Sequence, residues 1–370
     1  MPYQLWMEIN RNRLRSNLLR LQAMGKKSGS RIMAVVKADA YGHGVDTVVS
    51  LSDTGLRSFG VASVSEGKQL REKGVKGEIF LLGGFFSEET EELFLHRLTP
   101  VISSMDELEH LSRSMALHRD CPRFHLKVDT GMGRMGILTS DVPEFLEQAK
   151  KRFPSLFLAG VMTHFSCAEC DPEHTQRQYR DFVQLFPAAC EDSGLVRHCC
   201  NSAGFLLFPE MRMDMARIGI ALFGVSPTGD ASLIRSSGLQ PVMSLKTRVK
   251  FVKHLPACFP MGYGATYITP CPSRVAVLPV GYSQGIFRSL SNRMEVLIRG
   301  HRSRVAGTIS MDQMMVDVTD IPAVEKGDEA VLIGEDGSDA ISVEELANLA
   351  GTIPHEILCS LVRVKNKIFI

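Results

Sequence analysis

The sequence predicts a closed parallel α/β barrel of the (β/α)8 TIM-like kind, followed by a mainly β C-terminal domain. Two changes of rhythm carry that reading. From Arg11 to about Gly224, short apolar runs alternate with stretches whose apolar residues recur at three- and four-residue spacing, about eight times over. Repeated strand–helix alternation of this length suits a barrel. After Gly224 the runs become shorter and turn residues part them, which is the pattern of an all-β region. A chain of 370 residues has room for one barrel and an appendage. A doubly wound open sheet is the alternative, although it usually needs fewer such units.

The expected barrel strands are residues 32–36, 59–62, 79–82, 100–102, 124–128, 158–162, 196–200 and 213–218. Between them Leu108, Leu111 and Met115 show helical spacing, and Ser63 with Glu66 and Ser104 with Glu107 have capping-box spacing. In the second half the expected strands are 243–252, 274–280, 294–299, 304–309, 313–318 and 330–333. A helix is expected over 343–349 behind Ser342 and Glu345, with Ile341 stapled to Leu346. The turn formers of 226–239 read as a linker. The domain limits are therefore a barrel over 11–230 and a β-rich domain over 240–370, with residues 1–10 forming a strand that joins the latter.

Composition narrows the function classes. Hydrophobic residues make up 44% and charged residues 22%, as expected of a folded protein with a sizeable core. A net charge of +1 gives no electrostatic reason to expect nucleic acid or an anionic membrane as partner. The start, Met1-Pro2-Tyr3-Gln4-Leu5-Trp6, lacks the basic and apolar regions of a secretory leader, and no apolar run is long enough to span a bilayer. Nine scattered cysteines argue for reduced thiols, hence a cytoplasmic location. Cys167 and Cys170 lie near His164, and Cys199 and Cys200 follow His198. Adjacent residues of a strand point to opposite faces, so the second pair makes a poor half of a zinc site and no metal is expected. Cys167 and Cys170 are expected to be buried thiols.

Barrel enzymes carry their chemistry just after the strands. Lys37 closes the first run and opens Lys37-Ala38-Asp39-Ala40-Tyr41-Gly42-His43-Gly44. A strand-end lysine among apolar neighbours is expected to be desolvated, which favours the free amine that attacks aldehydes. A lysine there also simply caps a strand, so the other strand ends must decide. Lys127, Asp129 and Arg134 follow the fifth run, His164 the sixth, Asn201-Ser202-Ala203-Gly204 the seventh, and Arg217-Ile218-Gly219-Ile220 the eighth. Loops after the last two strands of a barrel form its usual phosphate site. An amine, a phosphate cradle and an arginine on one rim together suggest pyridoxal phosphate.

At these same residues the chain resembles the bacterial alanine racemases. The resemblance rests on residues 34–44 around Lys37, on Val128-Asp129-Thr130-Gly131-Met132-Gly133-Arg134, and on Met162-Thr163-His164-Phe165. It continues through Ala216-Arg217-Ile218-Gly219, Gly262-Tyr263-Gly264-Ala265-Thr266-Tyr267 and Ser310-Met311-Asp312-Gln313, in family order. The resemblance implies a cytoplasmic homodimer with shared active sites. It would interconvert L- and D-alanine with pyridoxal 5'-phosphate and supply D-alanine for peptidoglycan. Lys37 would hold the cofactor and act as one base, with Tyr263 of the partner subunit as the opposite base. Arg217 would meet the pyridine nitrogen. Arg134 would bind the cofactor oxygen and the substrate carboxylate, which the partner subunit's Met311 also meets. Lys127 corresponds to a carbamylated lysine that steadies Arg134, and His164 links Tyr263 to Arg217. Tyr41, Asn201, Ser202, Gly219, Ile220 and His355 would surround the phosphate, and Tyr282 and Asp312 the entrance.

Two positions depart from the family pattern. His355 stands where a tyrosine is usual, which implies a roomier pocket and some serine racemisation beside alanine. Gln284 stands in Gly281-Tyr282-Ser283-Gln284-Gly285 where aspartate is common. A decarboxylase of related architecture and a non-catalytic, single-barrel pyridoxal-phosphate-binding protein are the competing readings. The Tyr263 block and the Gly42-His43-Gly44 string fit the first less well, and the second domain argues against the other.

Overall fold

The computed structural model describes residues 3–51, 54–118, 123–187 and 194–370. Met1 and Pro2, where the leader reading starts, lie outside the described residues, as do Cys121 and Cys190. The chain divides into two compact units. One comprises Leu18–Ala40 and Val48–Leu222, and the other the chain up to Asn17, Tyr41–Thr47 and Phe223–Ile370.

In the first unit the strands are β2 (Arg31–Val35), β3 (Ser58–Val61), β4 (Glu78–Leu81), β5 (Leu98–Ile102), β6 (Arg123–Asp129), β8 (Phe157–Met162), β9 (Val196–His198) and β10 (Met215–Ile218). They run parallel in the order β10-β2-β3-β4-β5-β6-β8-β9, with the short β7 (Ile137–Leu138) paired to β6. The two ends of the sheet approach closure, since the Arg217 N–H donates to the Cys200 carbonyl at 3.0 Å. This nearly closed barrel agrees with the expected fold class.

Parallel register aligns the strand ends. Lys127 sits opposite Met162 and Met162 opposite His198, while Ile218 sits opposite Ala34 on the other side. Residues just beyond these positions, widely spaced in sequence, therefore collect at one end of the barrel. Inside, Met33, Phe80 and Met215 pack together with Leu82 and Val196 against them. Strands buried on both faces explain why the runs read as continuous apolar stretches.

The second unit holds β1 (Leu5–Ile9), β11 (Met243–Arg248), β12 (Phe251–Leu255), β13 (Pro260–Met261), β14 (Tyr267–Ile268), β15 (Ser273–Leu278), β16 (Glu295–Ile298), β17 (His301–Arg304), β18 (Met314–Asp317), β19 (Glu329–Asp336), β20 (Asp339–Ile341) and β21 (Lys367–Phe369). The main sheet runs β17-β16-β19-β11-β1-β21, with β20 on β19, and β12-β15-β18 form a second sheet. Strand β1 pairs antiparallel with β11 and parallel with β21, so Met7 faces both Leu245 and Lys367. Leu255, Met261, Val275 and Ala306 form a small core beneath Tyr267 and Met315.

Three local expectations differ from the structure. The run 243–252 breaks into two strands at Val249, whose N–H and carbonyl turn to Asp328 and Gly327. The expected strand 304–309 is absent beyond Arg304, which ends β17, and Val305 makes an isolated bridge to Val316. The expected linker contains a helix, Ala231–Ser237, because two of its turn formers serve as caps. Asp230 accepts the Ser232 N–H at 2.8 Å, and Gly238 ends the helix in the left-handed region at φ 66. Among the described residues no helix is long and apolar enough to cross a membrane.

Candidate active site

The apolar strand β2 ends abruptly at Lys37. Ala38, Asp39, Ala40 and Tyr41 all take the left-handed conformation, with φ between 52 and 54. Each such non-glycine residue costs roughly 1–2 kcal/mol, so the turn stores strain on the order of 5 kcal/mol that its surroundings must hold. Glu66 supplies part of that hold, since one carboxylate oxygen accepts the Ala38 N–H at 2.7 Å and the other the Ala62 N–H at 2.8 Å. The Ser63 hydroxyl caps the helix at Glu66 as expected, but the Glu66 carboxylate is spent on the Lys37 turn and not on a capping box. Lys37 itself is exposed, so the desolvation expected for its amine is not supplied by burial within the chain.

Beyond β6 the chain folds around one carboxylate. Asp129 accepts the N–H groups of Gly131, Met132, Gly133 and Arg134 at 2.9, 2.8, 3.1 and 3.2 Å. Burial pushes its carboxyl up, but this donation outweighs it and holds the pKa below the ordinary aspartate value. Gly136 closes the loop, because a Cβ there would meet the Asp129 nitrogen at 2.8 Å. The loop thus fixes the backbone of Arg134, whose side chain is exposed. Lys127 is buried, and its pKa falls to about 8, through burial first and then the charges of Arg134 and Arg217.

Arg217 on β10 is the most enclosed cation of the site. One terminal nitrogen donates to the His198 carbonyl at 2.9 Å and to His198 Nδ1 at 3.1 Å. The other donates to the carbonyls of Thr163 and Cys199 at 2.7 and 3.0 Å and to His164 Nδ1 at 3.0 Å. Burial lowers the Arg217 pKa to about 10, which still leaves it a cation near neutrality. Guanidinium only donates, so both imidazoles accept at Nδ1 and carry their proton on Nε2. That proton of His198 then points to His125 Nδ1, 2.7 Å away. The result is a chain of neutral histidines under one cation. Burial, reinforced by neighbouring cations, holds His164 and His198 well below the usual histidine value and His125 at about 3.

Next to Arg217, Asn201 caps the short helix Ser202–Leu207 through the Gly204 N–H at 2.8 Å. The buried Ser202 hydroxyl accepts the N–H groups of Gly219 and Ala221 at 3.1 and 3.4 Å, with Ile220 buried between them. Small residues, a helix start and a hydroxyl therefore meet at the end of β10. The adjacent cysteines correct a sequence expectation. Cys199 and Cys200 follow β9 outside regular strand geometry, so their sulfurs lie on one side, 3.9 Å apart, and both reach the Met211 carbonyl. Cys170 is exposed and Cys167 partly so, against the expected burial.

The second unit holds the remaining candidates. Tyr41 lies with its ring 5.7 Å from Phe223 and 6.0 Å from His355, while His43 stacks on Phe223 at 4.1 Å. Gly42 has φ 79, and a Cβ there would lie 2.4 Å from the Leu358 carbonyl oxygen, which accounts for its glycine. Tyr263 is 73% exposed and Met311 55%. The departure at Gln284 has a local explanation. Its amide donates to Asp312 at 3.1 Å, alongside the Ser283 hydroxyl at 2.6 Å, so the two side chains attract where two carboxylates would repel. Tyr282 begins this same turn, its N–H on the Ser310 carbonyl.

From sequence Glu66 reads only as part of a capping box and His198 only as a neighbour of the paired cysteines, and His125 draws no attention, so none of the three is expected in the site. A polar residue inside an apolar strand, as in Phe124-His125-Leu126, was the available signal for the histidines. Glu66 gave none beyond its apparent cap.

Comparison with known proteins places this arrangement. The alanine racemase N-terminal domain matches residues 9–227 and the alanine racemase C-terminal domain residues 242–368. An alanine racemase of Halothermothrix orenii is 38% identical over 98% of this chain and 97% of its own length. One from Geobacter sp. is 40% identical over 96% and 95%. The crystal structure of alanine racemase from Streptomyces lavendulae superposes with a TM-score of 0.91 at 32% identity, covering 100% of this chain and 98% of that one. That of Bartonella henselae, described with covalently bound pyridoxal phosphate, gives 0.88 at 28% identity and covers both chains fully. On both halves of its length, the chain belongs to the alanine racemase family.

Proposed function

We infer that this protein racemises alanine using pyridoxal phosphate, and that the neutral-imidazole setting of Arg217 is the observation that carries the reading. The donor set suits that cofactor. Among the described residues the Arg217 Nε donates to no acceptor, which leaves one N–H for a ring nitrogen. A guanidinium does not hand that nitrogen a proton. Ser202 with the backbone of Gly219 and Ile220 would hold the phosphate, flanked by Asn201, and Lys37 the aldehyde carbon; Tyr41 and His355 are assigned to the same group. When bound, the cofactor draws electrons from the substrate Cα and so acidifies its proton.

The side chains then have distinct tasks. Lys37 Nζ moves the α-proton on one face, and Tyr263 Oη on the other. His164, neutral and bonded to Arg217, accepts at Nδ1 and offers its Nε2 proton as a donor toward the tyrosine side. Arg134, on its fixed loop, orients the substrate carboxylate. Lys127 lies among cations with a lowered pKa, which favours its conversion to an anionic carbamate that would steady Arg134. Tyr263 and Met311, both largely exposed, suit a surface that a second copy covers, and the reading is a homodimer in which each chain lends them to the other. Tyr282 and Asp312 are assigned to the entrance. A cytoplasmic location, a part in supplying D-alanine for peptidoglycan, and the domain limits at 1–10, 11–230 and 240–370 complete the proposal.

The test uses L-alanine in deuterated water with the cofactor-loaded protein. Loss of the α-proton and appearance of D-alanine should run together and both vanish in Lys37→Ala. Release of carbon dioxide would instead identify a decarboxylase.

A further inference from the structure

The segment Cys167-Ala168-Glu169-Cys170 has no task in the reaction above. It lies between β8 and the helix Pro172–Leu185. The chain turns sharply there, the Cys170 and Asp171 N–H groups both donating to the Cys167 carbonyl at 3.0 and 2.8 Å. Such a turn brings its first and fourth Cα within about 7 Å, close to the span a disulfide bridges. Both residues are free thiols, Cys170 exposed and Cys167 partly so. Their frame is held in place. The Ser166 hydroxyl meets Cys167 Sγ at 3.4 Å and Gln178 at 3.2 Å, and Asp171 caps the following helix through the His174 N–H at 2.9 Å. Among the described residues no group of three His, Cys, Asp or Glu side chains gathers for a metal, so the chemistry available is that of a dithiol.

We propose that Cys167 and Cys170 form a reversible dithiol–disulfide site that reacts with small disulfides of the glutathione type and pins this loop when oxidised. The exposed Cys170 thiolate attacks one sulfur of the small disulfide, forming a mixed disulfide and releasing one small thiol. The Cys167 thiolate then attacks the Cys170 sulfur, which closes the internal S–S bond and releases the second small thiol. Two electrons pass from the pair to the small disulfide, and the two thiol protons end on the released thiols. Desolvation, then Cys167, Glu169 and Asp171, hold the Cys170 thiol above the ordinary value.

The loaded full-length protein is incubated with oxidised glutathione, alkylated and digested with trypsin. The peptide from Phe153 to Arg177 contains both cysteines and no others. The expected product is that peptide unalkylated and lighter by two hydrogens, restored by dithiothreitol. In Cys167→Ser the reaction should stop with one glutathione on Cys170. Hydrogen exchange of amides 166–171 should slow on oxidation by on the order of tenfold, as expected when a short loop is closed. A peptide that stays reduced, one that carries glutathione without closing, or unchanged exchange in the oxidised loop would each overturn the proposal.

Discussion

Lys127 allows the electrostatics of the site to be tested directly, with pH as the perturbation. Its pKa of about 8 reflects burial, then Arg134 and Arg217, against the weaker opposite pull of Asp129 and Glu107. At pH 7 roughly one such amine in ten is unprotonated, compared with about one in three thousand for an ordinary lysine. Only the unprotonated amine combines with carbon dioxide, and the carbamate replaces a positive charge by a negative one beside two arginines. At fixed pressure of 13C-labelled carbon dioxide, the initial labelling rate should rise about tenfold per pH unit up to pH 8 and then level off. The carbamate resonance in 13C NMR should be missing in Lys127→Arg. Linkage gives an independent check without carbon dioxide. The folded pKa lies below the unfolded one, so the unfolded chain binds more protons between pH 8 and 10.5. Stability should therefore rise with pH across that window, by about 3 kcal/mol, and be lowest below it. Lys127→Met should abolish that rise. A labelling rate that keeps climbing past pH 9, or no Lys127-dependent resonance, would refute the reasoning.

Other perturbations probe the frame. Ala38→Gly should be neutral or stabilise by up to about 1 kcal/mol in denaturant titration, whereas Ala38→Val should cost at least about 1–2 kcal/mol, because φ 52 suits only the first. His125→Leu removes the acceptor of the His198 Nε2 proton, so stability should fall by about 1–3 kcal/mol with the Arg217 chain left one member short. His355→Tyr should lower serine turnover relative to alanine in a two-substrate chiral assay; an unmoved ratio would show that His355 does not set the pocket size.

How far the sequence could be read depends on whether the cause is local. The barrel strands appeared in order because parallel strands buried on both faces must be apolar runs, and the caps at Ser104 and Ser342 appeared because a hydroxyl serves an N–H three residues on. The 226–239 segment misled because Asp230 and Gly238 cap a helix with the same residue types that build turns. The left-handed turn after Lys37 was not legible, since of Ala38-Asp39-Ala40 only Asp39 is a residue type that visits φ above zero with any frequency and part of the hold comes from Glu66, more than twenty residues on.

By itself, then, the sequence determined the succession of elements, the family and the reactive residue types, all properties of neighbouring residues or of short motifs. Only the tertiary structure decided which nitrogen of each imidazole carries the proton and why the Lys127 amine is pushed down to about 8. Those features depend on burial and on partners tens of residues away, which come within hydrogen-bonding range only once the parallel register aligns the strand ends.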